Sequence, residues 1–180
     1  MAQWTQHQRL DRYQRAREEL WMTGLAYHCT CSRTQWNAFT GDSCPGECRQ
    51  GNHAFQVGRT ATRLHLDGIP DPIIWRRDDL PAYHLTSIVD DCDGRIDLVV
   101  RGEDLASSTD VQRRISHLLP GNTFHQAHVL HHPLVTSEGR KLSKSAGISA
   151  SWRPLPGSHC DVPGKRMLGY CLERRSCLAR

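Results

Sequence analysis

The chain has 180 residues, a net charge of +4 and eight cysteines, enough for one core carrying a small inserted module and too few for two full-size domains. No apolar run of about 18 residues occurs, which argues against a membrane-spanning helix, and the polar start MAQWTQHQRLDRYQRA lacks the apolar segment of a signal peptide. A cytoplasmic protein is expected. The charge is uneven: from Trp152 to Arg180 six Lys or Arg stand against two acids, so residues 1–151 balance to zero. That basic tail is either a solvated face or a nucleic-acid contact.

In chain order, Leu10, Tyr13, Leu20 and Trp21 recur with helical spacing among Arg and Glu, predicting an amphipathic helix over 6–22 that ends near Gly24. Ala26 to Cys29 reads as a short strand. ATRLHL and PIIW read as strands separated by the turn DGIPDP. Pro81 suits the first position of a helix with Asp79 as its cap, and Asp93-Gly94 makes the next turn. RIDLVVRG is almost continuously apolar and β-branched, the pattern of a strand buried on both faces of a parallel sheet. Thr109 and Gln112 have capping-box spacing before DVQRRISHLL, and AHVLHHPLV reads as a further strand. Strand, helix, strand in this order predicts an α/β fold with crossover connections. The predicted parts are a core helix over 1–24, a cysteine module over 25–58, a second core segment over 59–147 and a basic tail over 148–180.

Cys29 and Cys31 sit on one tight turn, Cys44 and Cys48 on another, with Pro45-Gly46 shaping the second. Without a secretory signal, such clustering points to metal before disulfides. Four thiolates satisfy tetrahedral zinc and leave no open position, so such an ion would be structural. The alternative is four separately buried thiols. His28 and His53 are read as packing or surface residues, and Cys92, Cys160, Cys171 and Cys177 as ordinary thiols.

Ligands of open α/β sheets bind at the carboxyl ends of the strands. Arg101 follows LVV at such an end, where a guanidinium grips a carboxylate or phosphate, or else pairs with Glu103 or Asp104. GRKLSKSAG, residues 139–147, packs three cations and two serines between glycines. It fails the Walker pattern because Ser143 stands where a glycine should precede the lysine. Its lysines suit the charge that develops on a leaving pyrophosphate, or a solvated surface loop.

Together QRLDRYQRAREEL, AYHCTCSR, CPGECR, PAYHLTSIVDDCDGRIDLVVRGEDL and GRKLSKS resemble the class I glutamyl-tRNA synthetase family. The likeness is strongest to its short bacterial branch, the glutamyl-queuosine tRNA(Asp) synthetases, and GRKLSKS is similar to the KMSKS signature with Leu142 for methionine. The resemblance implies a Rossmann-like catalytic core with an inserted zinc module. It also implies ATP-dependent activation of glutamate, with Mg2+, and transfer to the queuosine base of tRNA(Asp). Glutamate would be held by Tyr83 and Arg101, and ATP by Ser143, Lys144 and Ser145, with Lys141 and Lys144 as catalytic cations. In that branch the zinc ligands are three cysteines and a tyrosine, and Cys44 stands at the tyrosine's place.

The family's HIGH-type histidine motif is not found. His65-Leu66-Asp67-Gly68 imitates it only superficially, since Pro70 and Pro72 prevent the helix the motif needs. The chain is therefore expected to lack part of the catalytic domain and to leave an apolar sheet face uncovered. The alternatives are a non-catalytic zinc-bearing fragment, at most a weak RNA-binding module, and a fragment of a glutamyl-tRNA synthetase.

Overall fold

A computed structural model describes residues 5–38, 44–134, 136–137 and 140–141. The chain divides into two compact units: one runs to Arg95 and includes Ser108–Gln126, the other holds Ile96–Ser107 and the chain from Ala127 onward.

In the first unit a 3-10 turn at Gln6–Arg9 leads into α1 (Leu10–Met22), whose buried stripe is Tyr13, Ala16 and Leu20. Their spacing of three and four places them on one helix face. The helix closes before Gly24, which takes φ +74, the left-handed conformation open to a residue without Cβ. Three strands follow, β1 (Ala26–Cys29), β2 (Ala61–Leu64) and β3 (Ile73–Trp75), with the short α2 (Arg33–Ala38) between the first two. They form an antiparallel sheet ordered β1-β2-β3, in which Ala26 faces Leu64 and Cys29 faces Ala61. β2 ends earlier than ATRLHL suggested, and beyond its end the ring nitrogens of His65 meet Asp71 and Asp67, each at 3.0 Å. Residues 67–68 form a turn and no helix follows them, in keeping with the reading of HLDG as an imitation.

Two expected helix starts are corrected. α3 (Tyr83–Asp93) begins after Ala82, with no side chain capping it. Asp79 instead accepts a hydrogen bond from Trp75 Nε1 at 2.9 Å, and Pro81 bridges to Trp75. The indole of Trp75 is 1% exposed, so its donor needs a partner inside the fold, and that need outweighs the cap. α4 (Ala106–Leu118) starts three residues ahead of Thr109, because the 3-10 turn Glu103–Leu105 feeds straight into it. Thr109 and Gln112 are therefore buried helix residues, and Gln112 donates to the Ser87 hydroxyl of α3. Leu85, Ile88 and Val89 of α3 join Leu20, Leu64, Ile74, Ile115 and Phe124 among the fully buried side chains. Beyond α4 the buried Asn122 accepts from Ser116 Oγ (2.7 Å) and Phe124 N (3.0 Å) and donates to the Ile88 carbonyl (3.0 Å).

In the second unit β4 (Leu98–Gly102) pairs in parallel with β5 (His128–His132), with Leu98 opposite His128 and Gly102 opposite His132. α4 lies between them in the chain, the strand-helix-strand order expected of an α/β fold. A short hairpin of β6 (Thr136–Ser137) and β7 (Arg140–Lys141) follows. The expectation that β4 is buried on both faces is corrected. Leu98 and Val99 are half-buried, Val100 is 37% exposed and its ladder partner Leu130 is 56% exposed. Burial on both faces requires helices or another layer packed over the strand, and the exposure of Val100 and Leu130 shows that such cover is incomplete on their face. Val100 and Leu130 are paired across the ladder and form an exposed apolar pair. Among the described residues no helix is long and apolar enough to cross a membrane.

Candidate functional site

The cysteines converge because β1 ends at Cys29, a tight turn carries the chain through Cys31 into α2, and Cys44-Pro45-Gly46-Glu47-Cys48 turns back against them. All four are buried and free of disulfides, and Tyr27 and Trp36 pack around them. The Sγ separations are 3.5 Å for Cys29–Cys44, 3.4 Å for Cys31–Cys44 and 3.7 Å for Cys31–Cys48. All four sulfurs lie within 4.8 Å of one another. Zinc–thiolate bonds of about 2.3 Å give a tetrahedron with sulfur edges of about 3.8 Å. Those three separations are within about 0.4 Å of that edge and the others do not exceed 4.8 Å, so the residues fit a four-coordinate ion after a small adjustment.

Gly46 is required by this geometry, since a Cβ there would meet Cys31 Sγ at 2.6 Å. Arg77, from the other end of the sheet's sequence, donates to the carbonyls of Thr30 (2.9 Å) and Cys31 (2.7 Å) and fixes the first knuckle. Burial, with hydrogen bonds from Cys44 and Cys48, pushes the Cys31 thiol up, and burial likewise raises Cys44. At Cys48 burial opposes ionisation, but hydrogen bonds from the Thr30 backbone and hydroxyl and from the neighbouring thiols lower its pKa. Metal binding displaces thiol protons, so the raised Cys31 and Cys44 make proton release part of binding and weaken it as pH falls.

His28 does not join the cluster. Its ring stacks on Trp21 at 4.5 Å and its Nδ1 lies 3.2 Å from Thr62 Oγ1, the packing role read from the sequence.

The residues singled out for substrate fall in different parts of the chain. Tyr83 is the first residue of α3 in the first unit, with its side chain half exposed. Arg101 is in β4 of the second unit, buried, opposite His131. Glu103, one of its candidate ion-pair partners, accepts a hydrogen bond from the Leu134 amide at 3.2 Å. Gly102 is closely approached, since a Cβ would meet Asp104 Oδ1 at 2.5 Å. Lys141 belongs to β7, with Thr136 as its ladder partner. Ser143, Lys144 and Ser145 lie outside the described residues.

Sequence reasoning missed a buried polar chain beneath the sheet. Asp71, 1% exposed, accepts from the Tyr27 hydroxyl at 2.6 Å and meets His65 Nδ1 at 3.0 Å, and its carbonyl accepts from Arg63 Nη1 at 2.6 Å. No local signal marks it, since Tyr27 and Asp71 are 44 residues apart.

Residues 56–150 match the family described as tRNA synthetases class I (E and Q), catalytic domain. The chain belongs to this family, whose members are ligases. It is 36% identical to the glutamyl-Q tRNA(Asp) synthetase of Pseudomonas paraeruginosa over 182 residues, covering 91% of this chain and 59% of that protein. The enzyme of the same name from Pseudomonas putida is 36% identical over 159 residues, covering 78% of this chain and 52% of that one. This chain thus spans 59% or less of the length of these relatives. A glutamate-tRNA synthetase structure from Elizabethkingia anophelis superposes with a TM-score of 0.55 at 18% identity, over 82% of this chain and 38% of that one. That likeness speaks for the fold alone: a class I synthetase catalytic core.

Proposed function

We propose that the chain carries the glutamate-activating chemistry of a glutamyl-queuosine tRNA(Asp) synthetase: ATP-dependent adenylation of glutamate, then transfer to the queuosine base of tRNA(Asp). The observation that carries this reading is the family match over 56–150, a span holding Tyr83, Arg101 and the basic loop, with 36% identity to a relative named for that reaction. In the reaction the α-carboxylate of glutamate attacks the α-phosphorus of ATP, and pyrophosphate leaves. Arg101 suits one glutamate carboxylate, because its donors form a planar fork. Tyr83 supplies a second, neutral contact from an accessible ring. Lys141 and Lys144 offset the charge on the departing pyrophosphate, with Ser143 and Ser145 donating to phosphate oxygens, and Mg2+ accompanying ATP would add to that neutralisation.

In the same reading, Cys29, Cys31, Cys44 and Cys48 hold a structural zinc ion. A closed set of four protein ligands leaves no position for water or substrate, so the ion contributes fold stability and takes no part in adenylation. A cytoplasmic location accompanies this function.

The test is incubation of the chain with labelled glutamate, ATP and tRNA(Asp) bearing queuosine. Acid-precipitable label that disappears with unmodified tRNA(Asp) is the expected outcome. Label that instead accumulates on tRNA(Glu) would reassign the chain to 3′-end charging, and no label on either would refute catalysis by this chain.

A further inference from the structure

A pocket of about 440 Å3 opens over α1 and is lined by Gln14, Arg17, Glu18, Trp21 and His28. The four α1 residues stand three and four positions apart, so they form one stripe along the helix, beside the buried stripe of Tyr13, Ala16 and Leu20. His28 comes from β1. The pocket lies within the first unit, and it shares no residue with the cysteine cluster, the assigned glutamate contacts or the basic loop.

Arg17 is the group that marks this pocket. Its guanidinium carbon lies over the Phe55 ring at 4.6 Å and over the Trp75 ring at 4.9 Å, so two aromatic faces hold its position while leaving its charge uncancelled. Among the described residues it makes no hydrogen bond and no ion pair. Asp79 acts on it through charge but accepts its hydrogen bond from Trp75 Nε1. Burial lowers the Arg17 pKa, and the charges of Asp79 and Glu18 offset that only in part. A half-buried guanidinium held by rings and given no oxygen acceptor keeps a planar fork of donors open. That fork is the geometry that grips a carboxylate through two parallel bonds.

A second observation points the same way. The buried His28 ring engages Thr62 Oγ1 through Nδ1, while its other nitrogen, Nε2, has no hydrogen-bond partner among the described residues. Trp21 stacks on His28 at 4.5 Å and remains 42% exposed, a large apolar surface on the pocket wall. Polar groups without an acceptor beside an exposed indole suit a ligand that is a carboxylate at one end and flat and apolar at the other. Glu18, exposed at the rim, repels negative charge and so disfavours the more highly charged phosphates.

We propose that this pocket binds a small monocarboxylate with a flat apolar body, its carboxylate on Arg17 and its flat face against Trp21. Gln14 and His28 Nε2 complete the polar contacts. The volume is in the range of small-molecule sites. The site goes beyond the proposed ligase reaction and uses none of the residues assigned to glutamate or ATP, so either reading can fail while the other stands.

The test is a titration of the full chain with hydrocinnamate, read by ligand-observed saturation-transfer NMR, beside hydrocinnamamide, a neutral compound of the same shape. The acid is expected to bind with a dissociation constant on the order of 1 mM, the scale for a ligand of about ten heavy atoms. It should bind about tenfold tighter than the amide, the worth of a charge-assisted pair. Arg17→Gln should erase that preference, so that acid and amide bind alike, which a merely structural role for Arg17 would not bring about. Glu18→Gln should tighten the acid about two- to threefold and leave the amide unchanged, because it removes a like charge from the rim. Arg15→Ala, which removes an exposed cation of α1 outside the pocket, should change the acid's affinity less than about twofold. No binding of the acid, equal binding of acid and amide by the parent, or a preference that survives Arg17→Gln overturns the site. Thermal melts report whether each variant folds. Should Arg17→Gln unfold the chain, Glu18→Gln decides instead: an acid affinity that stays the same or falls overturns the site.

Discussion

Tyr13 on α1 donates its phenolic hydrogen bond to Asp90 on α3, whose two carboxylate oxygens lie 2.8 and 2.9 Å from the hydroxyl. Arg9 grips the same carboxylate at 2.7 Å and Asp93 at 2.7 Å, so one end of α1 is tied to the C-terminal half of the helix that begins with Tyr83. Burial, then the hydrogen bond and charge of Asp90, push the Tyr13 pKa up to about 12. The fold thus holds the neutral phenol. Its contribution is complete below the ordinary tyrosine pKa of about 10 and is lost as pH climbs from there through 12. Tyr13→Phe should cost about 1.5–3 kcal/mol at neutral pH, the range for a hydrogen bond to a charged group. Urea melts from pH 8 to 12 should show the two proteins converging above pH 10. Tyr27, raised likewise by burial and by Asp71, affects both proteins equally, so the difference between the curves is the readout.

The cysteine cluster predicts one zinc per chain by elemental analysis. A chelator strong enough to strip it should lower the melting temperature by about 5 °C or more, since structural zinc binding is coupled to folding. Cys48→Ser should release the metal at lower chelator concentration than the parent. Gly46→Ala should do the same without removing a ligand, because its Cβ would be 2.6 Å from Cys31 Sγ. Full zinc retention in Gly46→Ala would contradict this geometry.

Asp71→Ala leaves the buried Tyr27 hydroxyl and one nitrogen of His65 without their acceptor. A loss of about 2–4 kcal/mol in equilibrium unfolding is expected, since stranded buried donors cost more than the bonds themselves contribute. Asp71→Ala/Tyr27→Phe should be less destabilised than the sum of the two single changes, because they share one interaction.

Arg101→Lys keeps the charge and removes the planar fork. Glutamate-dependent pyrophosphate exchange should fall in kcat/KM by about 10- to 100-fold, the scale of one lost charge-assisted contact. A neutral result in both Arg101→Lys and Arg101→Ala would remove Arg101 from the glutamate site.

α1 was legible because Leu10, Tyr13, Leu20 and Trp21 recur with helical spacing, although the buried stripe takes in Ala16 and leaves Trp21 42% exposed, and the cysteine pairs because each closes within a single turn of chain. The parallel pairing of β4 and β5 was legible from the helix between them. The start of α3 was not: Asp79 has the chemistry of a cap, yet it is drawn to the indole of Trp75, and no feature of residues 79–83 reports that competition. The burial of β4 was misjudged because an apolar run states what a strand could bury and says nothing of what packs over its two faces.

The amino-acid sequence by itself determined the helix period, the turn positions, the four thiols on two knuckles and the family signatures, since all of these depend on backbone preferences and chemistry within a few residues. Only the tertiary structure decided that Arg77 locks the Thr30 knuckle, that Asp71 anchors Tyr27, and that Arg63 lies over the Trp36 ring. Those pairings join residues tens of positions apart, and burial and hydrogen-bond satisfaction, which select among them, exist only once the chain has closed on itself.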